Sequence, residues 1–352
     1  MNNICYKLWL KNATTDIQAK KLLEKYGTFE NVYQVSDYKE DTFLTEKAVS
    51  CLMNKDLSKA EKIYNECKSK NITILTPTSK EYPERLKKLK VPPFVLYAVG
   101  NMECLKSPNT IGVVGTRRIT EYGRGVTEKF SQAFAKNNIT IVTGFAMGVD
   151  TEAVKGAIAE DSSAICVLGG GVDYIYPPEN KNLYEKVLEK GVFISEYPPG
   201  TKPHPKYFPC RNKIIAALSD SILVTEAPEK SGAIITAKHA KTLKKPVFTI
   251  PGQIDKLLSG GTNALLKKGA IPAFTPEDIL KMYKIKVAST PQKADIKEES
   301  DPLLSILQSK DSDADTLANL LGISVSECNS RCFMLELEGK IKKLPGGFYH
   351  AL

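Results

Sequence analysis

The chain has 352 residues, 42% hydrophobic and 25% charged, with a formal net charge of +9, so a packed fold with one large core and one or two small modules is expected. No apolar stretch approaches the roughly 20 residues that span a bilayer, and the opening Met-Asn-Asn-Ile-Cys-Tyr-Lys lacks the long apolar core of a signal peptide. Membrane insertion and export are thereby set aside, and a cytoplasmic protein is expected.

Residues 1–66 show helical apolar spacing, a break at Lys-Tyr-Gly-Thr-Phe (25–29) and no strand-like run. They predict a small helical domain. Lys25-Tyr26-Gly27 fits either a helix-hairpin-helix corner that offers N–H groups to a phosphate or a plain C-cap glycine.

From Ile72 the pattern changes to short β-branched runs at 72–75, 94–97, 111–114, 139–143, 164–168, 192–195, 222–225 and 247–250. Helix-length stretches near 124–136, 150–160, 180–189, 211–218, 232–243 and 262–268 separate most of them. That alternation predicts an α/β fold over 67–285, with right-handed crossovers and a mostly parallel sheet covered on both faces. Turns rich in Gly, Ser, Thr or Arg follow the runs: Gly115-Thr116-Arg117-Arg118, Thr143-Gly144-Phe-Ala-Met-Gly148, Leu168-Gly-Gly-Gly171, Glu226-Ala-Pro-Glu-Lys-Ser231-Gly232 and Ser259-Gly-Gly-Thr-Asn263. A parallel sheet gathers such turns at one edge, where N–H groups and positive helix ends bind phosphate.

Acids and bases balance over 1–66, at ten each, and over 286–300, at three each, whereas 301–352 carries five bases against seven acids. The whole positive excess, +11, therefore falls on 67–285, the segment with the glycine turns. Residues 286–300, with Pro291 and mixed charges, read as a flexible linker. In 301–352, three helical stretches and the hairpin-like Lys340-Ile-Lys-Lys-Leu-Pro-Gly-Gly-Phe-Tyr349 describe a winged helix. Its third helix sets Arg331 against Glu327, Glu336 and Glu338, the wrong sign for DNA, which favours a protein contact; Lys340, Lys342 and Lys343 keep a wing-to-phosphate contact open.

Groups for catalysis are sparse. His204, His239 and His350 share no metal or triad spacing, Gly-x-Ser-x-Gly is absent, and the eight cysteines form no Cys-x-x-Cys pair. No metal, cofactor or disulfide is expected, and the thiols are expected as buried small hydrophobes. The first turn lacks a full dinucleotide fingerprint and has instead Arg117, a planar fork suited to phosphate, beside Gly115, which lets a backbone approach. Ser231 reads as an N-cap, either ordinary or anion-holding. The cluster Lys202-Pro-His-Pro-Lys206-Tyr207-Phe208-Pro-Cys-Arg211-Asn212-Lys213 interleaves bases and aromatics, as single-stranded nucleic acid requires, with one of Tyr207 and Phe208 expected in the core.

Taken in order, Gly115-Thr-Arg-Arg118, Gly144-Phe-Ala-Met-Gly-Val-Asp150, Tyr176-Pro-Pro-Glu-Asn180, Ser195-Glu-Tyr-Pro-Pro-Gly200, Phe208-x-x-Arg-Asn212, Ser231-Gly232 with Thr236-Ala237, and Gly261-Thr-Asn263 closely resemble the DNA-processing protein A (DprA/Smf) family from about Tyr82 to Ala270. The resemblance implies an extended Rossmann-like core, a sterile-alpha-motif-like N-terminal domain and a C-terminal winged helix. It further implies a non-enzymatic homodimer that binds single-stranded DNA and helps load RecA onto strands covered by single-stranded-DNA-binding protein, in support of natural transformation. By the same likeness Arg117 and the Lys206–Phe208–Arg211 region would be DNA contacts. The chain departs from the family at Ala153-Val154, where Ala-His is frequent, and at Cys210-Arg-Asn-Lys213, where Arg-Arg-Asn-Arg is common. The competing reading is a phosphoribohydrolase-like nucleotide enzyme, whose Pro-Gly-Gly-x-Gly-Thr turn is broken here between Pro251-Gly252 and Gly260-Gly-Thr262.

Overall fold

Threonine caps start the first helices. After α1 (Asn3–Ala13), the side chains of Thr15, Thr28 and Thr45 each accept a backbone N–H three residues on, opening α2 (Asp16–Tyr26), α3 (Phe29–Gln34) and α4 (Glu46–Met53). Gly27 closes α2 as a C-cap, its N–H on Leu23 O. Helix α5 (Ser58–Ser69) follows. The computed structural model describes residues 3–284, 302–337, 339–344 and 346–351. It divides into two compact units, 1–285 and 286–352; the linker expected at 286–300 lies outside the described residues.

The sequence boundary at 66 falls inside α5, and Leu8, Trp9 and Leu22 share one apolar cluster with Tyr97, Phe145 and Phe193. The helices thus pack as a layer of the first unit. Next come β1 (Thr73–Leu75), α6 (Glu84–Lys87), β2 (Leu96–Gly100), β3 (Thr110–Val114), α7 (Glu121–Lys136), β4 (Thr140–Thr143), α8 (Val149–Ala159), β5 (Ala164–Val167), α9 (Lys181–Lys190) and β6 (Val192–Ser195). The unit continues with α10 (Tyr207–Leu218), β7 (Ser221–Val224), α11 (Gly232–Thr242), β8 (Val247–Thr249), α12 (Gly260–Lys267), β9 (Ile271–Pro272) and α13 (Pro276–Leu280).

These strands form one nine-stranded sheet in the order β1-β2-β6-β5-β4-β3-β7-β8-β9. From β6 to β9 every pairing is parallel, and β2 runs against both neighbours. Strands β3 to β7 are buried along their whole length, as a sheet covered on both faces requires. The chain winds outward from β3 through β4 and β5 to β6 and then returns to the other side of β3 at β7. That reversal makes a crevice at the carboxyl ends of β3 and β7, the switch point where open α/β sheets bind ligands.

One boundary matters for the site. The helix expected near 211–218 begins four residues earlier, at Tyr207. Pro209 sits in its first turn, where the missing N–H costs no helical bond. Phe208 and Arg211 therefore share a helix at spacing i, i+3 and lie side by side.

The second unit comprises α14 (Pro302–Ser309), β10 (Ser312–Asp313), α15 (Ala314–Leu321), α16 (Val325–Leu337), β11 (Ile341–Lys343) and β12 (Phe348–Ala351). Strand β10, which the sequence reading did not separate, adds to the hairpin to give the sheet β10-β12-β11 and complete a winged helix. Ser324 caps α16 through Glu327 N at 3.2 Å. Helix α16 turns Cys328, Cys332 and Leu335 into the core, and Phe333 and Met334, 59% and 56% exposed, to solvent. Among the described residues no helix is long and apolar enough to cross a membrane. Cys51 and Cys210 are exposed, against the expectation of buried thiols.

Phe193 is fully buried, stacked on Tyr184 at 4.2 Å and edge-on to Phe145 at 5.0 Å. Phe193→Ala should cost about 3–5 kcal/mol. In urea the fluorescence of Trp9 and the far-ultraviolet dichroism should shift to one common lower midpoint; separate midpoints would show that the helical layer unfolds by itself.

Candidate nucleic-acid interface

At the switch point lies a cleft of about 510 Å³. The β3–α7 turn contributes Gly115, Thr116 and Arg117, the start of α10 contributes Phe208, Arg211 and Asn212, and the start of α11 contributes Ser231 and Gly232. Eight residues singled out from sequence thus line one cavity. Gly144 lies against it, and Arg118, Lys206 and Lys213 are not part of its lining.

Arg211 is 4% exposed. Its Nη1 donates to Val167 O at the end of β5, and its Nε has no partner. Burial foremost pulls the guanidinium down to about 10, with the nearby Arg117 charge acting in the same direction and Asp150 against it. It still carries its charge at neutral pH. Asp150, equally buried, accepts from Gly144 N at 3.1 Å and Ala146 N at 3.3 Å, and burial raises its pKa despite the Arg211 charge. Desolvation outweighs attraction for both groups, and they form no close ion pair.

Gly144 is glycine because a Cβ there would fall inside the Arg211 guanidinium. Gly115, which lines the cleft, also has a packing task. A side chain at that position would collide with Val149 and the Glu226 carbonyl, so the missing Cβ lets α8 and the β7 turn close on β3. Between these turns Phe145 takes a left-handed φ of 57° to place its ring in the core.

Phe208 joins the two arginines. The Arg117 guanidinium lies 4.8 Å from its ring centre and that of Arg211 6.0 Å, with Tyr176 at 6.0 Å. Of the two aromatics, Tyr207 packs on Tyr197 at 4.0 Å, whereas Phe208 faces the cleft. At the α11 start, Ser231 has extended N-cap geometry but makes no capping bond, and its buried Oγ is without a partner. Asn212 Nδ2 bonds Gly232 O at 3.1 Å and fixes that helix start against α10. The free N–H groups of α11 therefore open on the cleft beside two guanidinium groups.

Lys213 turns away from the cleft, with Nζ 3.2 Å from the buried Glu196 carboxylate. Lys206 is exposed over Tyr207, 5.4 Å from its centre, and Arg118 is exposed in the first turn. Val154, at the departure from the family pattern, is fully buried and outside the cleft lining. Asp150 and Tyr176 belong to the site and were not chosen from sequence, although both stand inside the motifs at 144–150 and 176–180. Among the described residues no three His, Cys, Asp or Glu side chains come together as metal ligands.

A Rossmann-like core with a cleft at its switch point, followed by a winged helix, defines the class of protein. The family described as DNA recombination-mediator protein A matches residues 73–284, and the DprA winged helix domain matches 287–347; the chain belongs to this family. It is 43% identical over 208 residues to Protein Smf of Synechocystis sp., covering 58% of this chain and 52% of that one. To DNA processing protein DprA of Bacillus subtilis it is 37% identical over 212 residues, covering 60% and 71%. The chain thus spans about half of the Synechocystis protein. The X-ray structure of DprA from Streptococcus pneumoniae superposes with a TM-score of 0.69 at 32% identity, over 80% of this chain and 98% of that one. DprA from Helicobacter pylori, solved to describe its single-stranded DNA binding mode, gives 0.56 at 32% identity, over 60% and 95%.

Gly144→Ala forces a methyl group into the space of a held guanidinium and should cost about 1–3 kcal/mol. Once Arg211→Met has vacated that space the same change should cost much less. Urea unfolding of both single variants and the double variant measures the coupling, and strictly additive costs would contradict this geometry.

Proposed function

We propose that this chain is a single-stranded-DNA-binding recombination mediator that holds an unpaired strand without cutting it. The carrying observation is the pair of like-charged guanidinium groups about one Phe208 ring, with Arg117 already depressing Arg211. A phosphate beside them relieves that repulsion, and the uncapped α11 start supplies N–H donors. Tyr176, 40% exposed next to Phe208, offers a ring on which a base stacks. The binding mode described for the Helicobacter pylori protein supports this reading.

No covalent step is included. The one carboxylate among the cleft-lining side chains is Asp150, whose Oδ2 is taken up by two amides. On the family likeness, the strand so held is delivered to RecA from single-stranded-DNA-binding protein in the cytoplasm of a cell taking up DNA. Lys213, held by Glu196, is left out of the proposed contacts, and Arg211 acts from behind Phe208 as a buried charge. A second copy is placed along the sheet edge, where β9 has a neighbour on one side and Ile271 and Phe274 are 45% and 71% exposed.

Binding of an oligothymidine should weaken linearly in log–log form with added salt, by about 0.7 in slope for each neutralised phosphate. Arg117→Ala should lower both affinity and slope, the slope by about 0.7. An unchanged slope in filter binding across a salt series removes Arg117 from the site. Ile271→Glu should convert a dimer to a monomer by sedimentation velocity; a dimer that persists places the interface elsewhere.

A further inference from the structure

A second cleft, of about 770 Å³, opens on the other flank of the β3–α7 turn. Thr120 and Tyr122 form its near side, Pro251, Leu257 and Leu258 its apolar walls, and Glu226 its floor. Nothing in the proposed phosphate site uses it. The two clefts share one turn: Thr116 and Arg117 line the first, Thr120 and Tyr122 the second. The three Cα-to-Cα steps from Arg117 to Thr120 span at most about 11 Å even when fully extended, so a polymer with a phosphate at Arg117 has its neighbouring nucleotide within reach of the second cleft.

The chemistry of the cleft selects which part of that nucleotide enters. Tyr122, at the start of α7, is 60% exposed and presents a ring. Glu226 is 6% exposed; its oxygens accept Thr120 N at 2.9 Å and Thr120 Oγ1 at 2.9 Å, which holds the carboxylate at the floor. A buried carboxylate repels a phosphate but accepts N–H groups, and every nucleobase carries at least one N–H donor in a planar, stackable ring. Lys256 lies among the lining residues and Arg118 in the shared turn is exposed, so cations stand where the backbone would pass.

Resting on the single-stranded DNA reading above, we infer that this second cleft is a nucleobase pocket in which Tyr122 stacks the base next to the phosphate held at Arg117. The pocket takes bases without regard to sequence, because its contacts are a ring face and one acceptor common to all four. It also sets the path of the strand across the carboxyl edge of the sheet, from the start of α11, over the β3–α7 turn, towards the start of α7.

The test uses the full chain and a short oligothymidine carrying one 2-aminopurine at successive positions. In the parent protein, fluorescence should be quenched at a position stacked on Tyr122, distinct from the position stacked on Tyr176, whose quenching Tyr122→Ala leaves in place. Tyr122→Ala should abolish the quenching at its own position and weaken binding about tenfold while leaving the salt slope unchanged, since no phosphate contact is lost. Tyr122→Trp should restore both, and Leu257→Glu, at a side chain 80% exposed, should weaken binding by adding a second carboxylate. Parent-like affinity and quenching in Tyr122→Ala would overturn the inference. So would a change of oligomeric state in Tyr122→Ala at constant DNA affinity, which would give the cleft to a second copy. If the parent chain itself shows no salt-dependent, Arg117-dependent binding, the single-stranded DNA reading fails first; if it does and Tyr122 is silent, this inference alone fails.

Discussion

A guanidinium withdrawn from water is the constraint on which the site depends. Burying the Arg211 charge is costly, and the surrounding chain is shaped to reduce that cost: a carbonyl at the end of β5 accepts from it, the carboxylate of Asp150 lies within electrostatic reach, and the Phe208 ring lies close to it. Each of these comes from a different connection of the sheet. The turn after β4, the end of β5 and the first turns of α10 are therefore fixed relative to one another by one side chain. Gly144 follows as a necessity, since any Cβ there would occupy the place of the guanidinium.

The second arginine gives the arrangement its use. Arg117 is exposed over the same ring, and its charge adds to the unfavourable position of Arg211. Two like charges held about one aromatic repel each other, and the switch point between β3 and β7 brings the uncapped start of α11 to the same place. The parallel sheet supplies the rigidity: strands buried on both faces keep their carboxyl ends in register, so the turns vary without moving the frame.

The winged helix differs in kind. A winged helix that reads DNA places its third helix in the major groove, yet here Arg331 is engaged by Glu327 at 2.7 Å while Phe333 and Met334 face solvent. Over 301–352 acids exceed bases, and the positive excess stays with 67–285. An apolar, acid-balanced helix suits contact with a protein surface better than counterion release from a duplex.

Sequence alone determined the class of fold, the two ends of the cleft and the order of the glycine turns, because apolar periodicity and turn chemistry are local properties of the chain. It also gave the family, through short motifs in a fixed order, and it placed Arg117, Phe208, Arg211 and Ser231 among the site residues. What those residues do was decided by tertiary structure. Burial separated Arg211 from Arg117, an ion pair with Glu196 turned Lys213 from the cleft, and the close approach of α8 and the β7 turn added a packing task to Gly115. The early start of α10 at Tyr207 was hidden because Pro209 reads as a break in sequence, whereas in a first helical turn it costs nothing. Charge and ring type are written in the residue; which neighbour neutralises a charge, and how far it lies from water, depends on contacts between segments that the chain brings together only when folded.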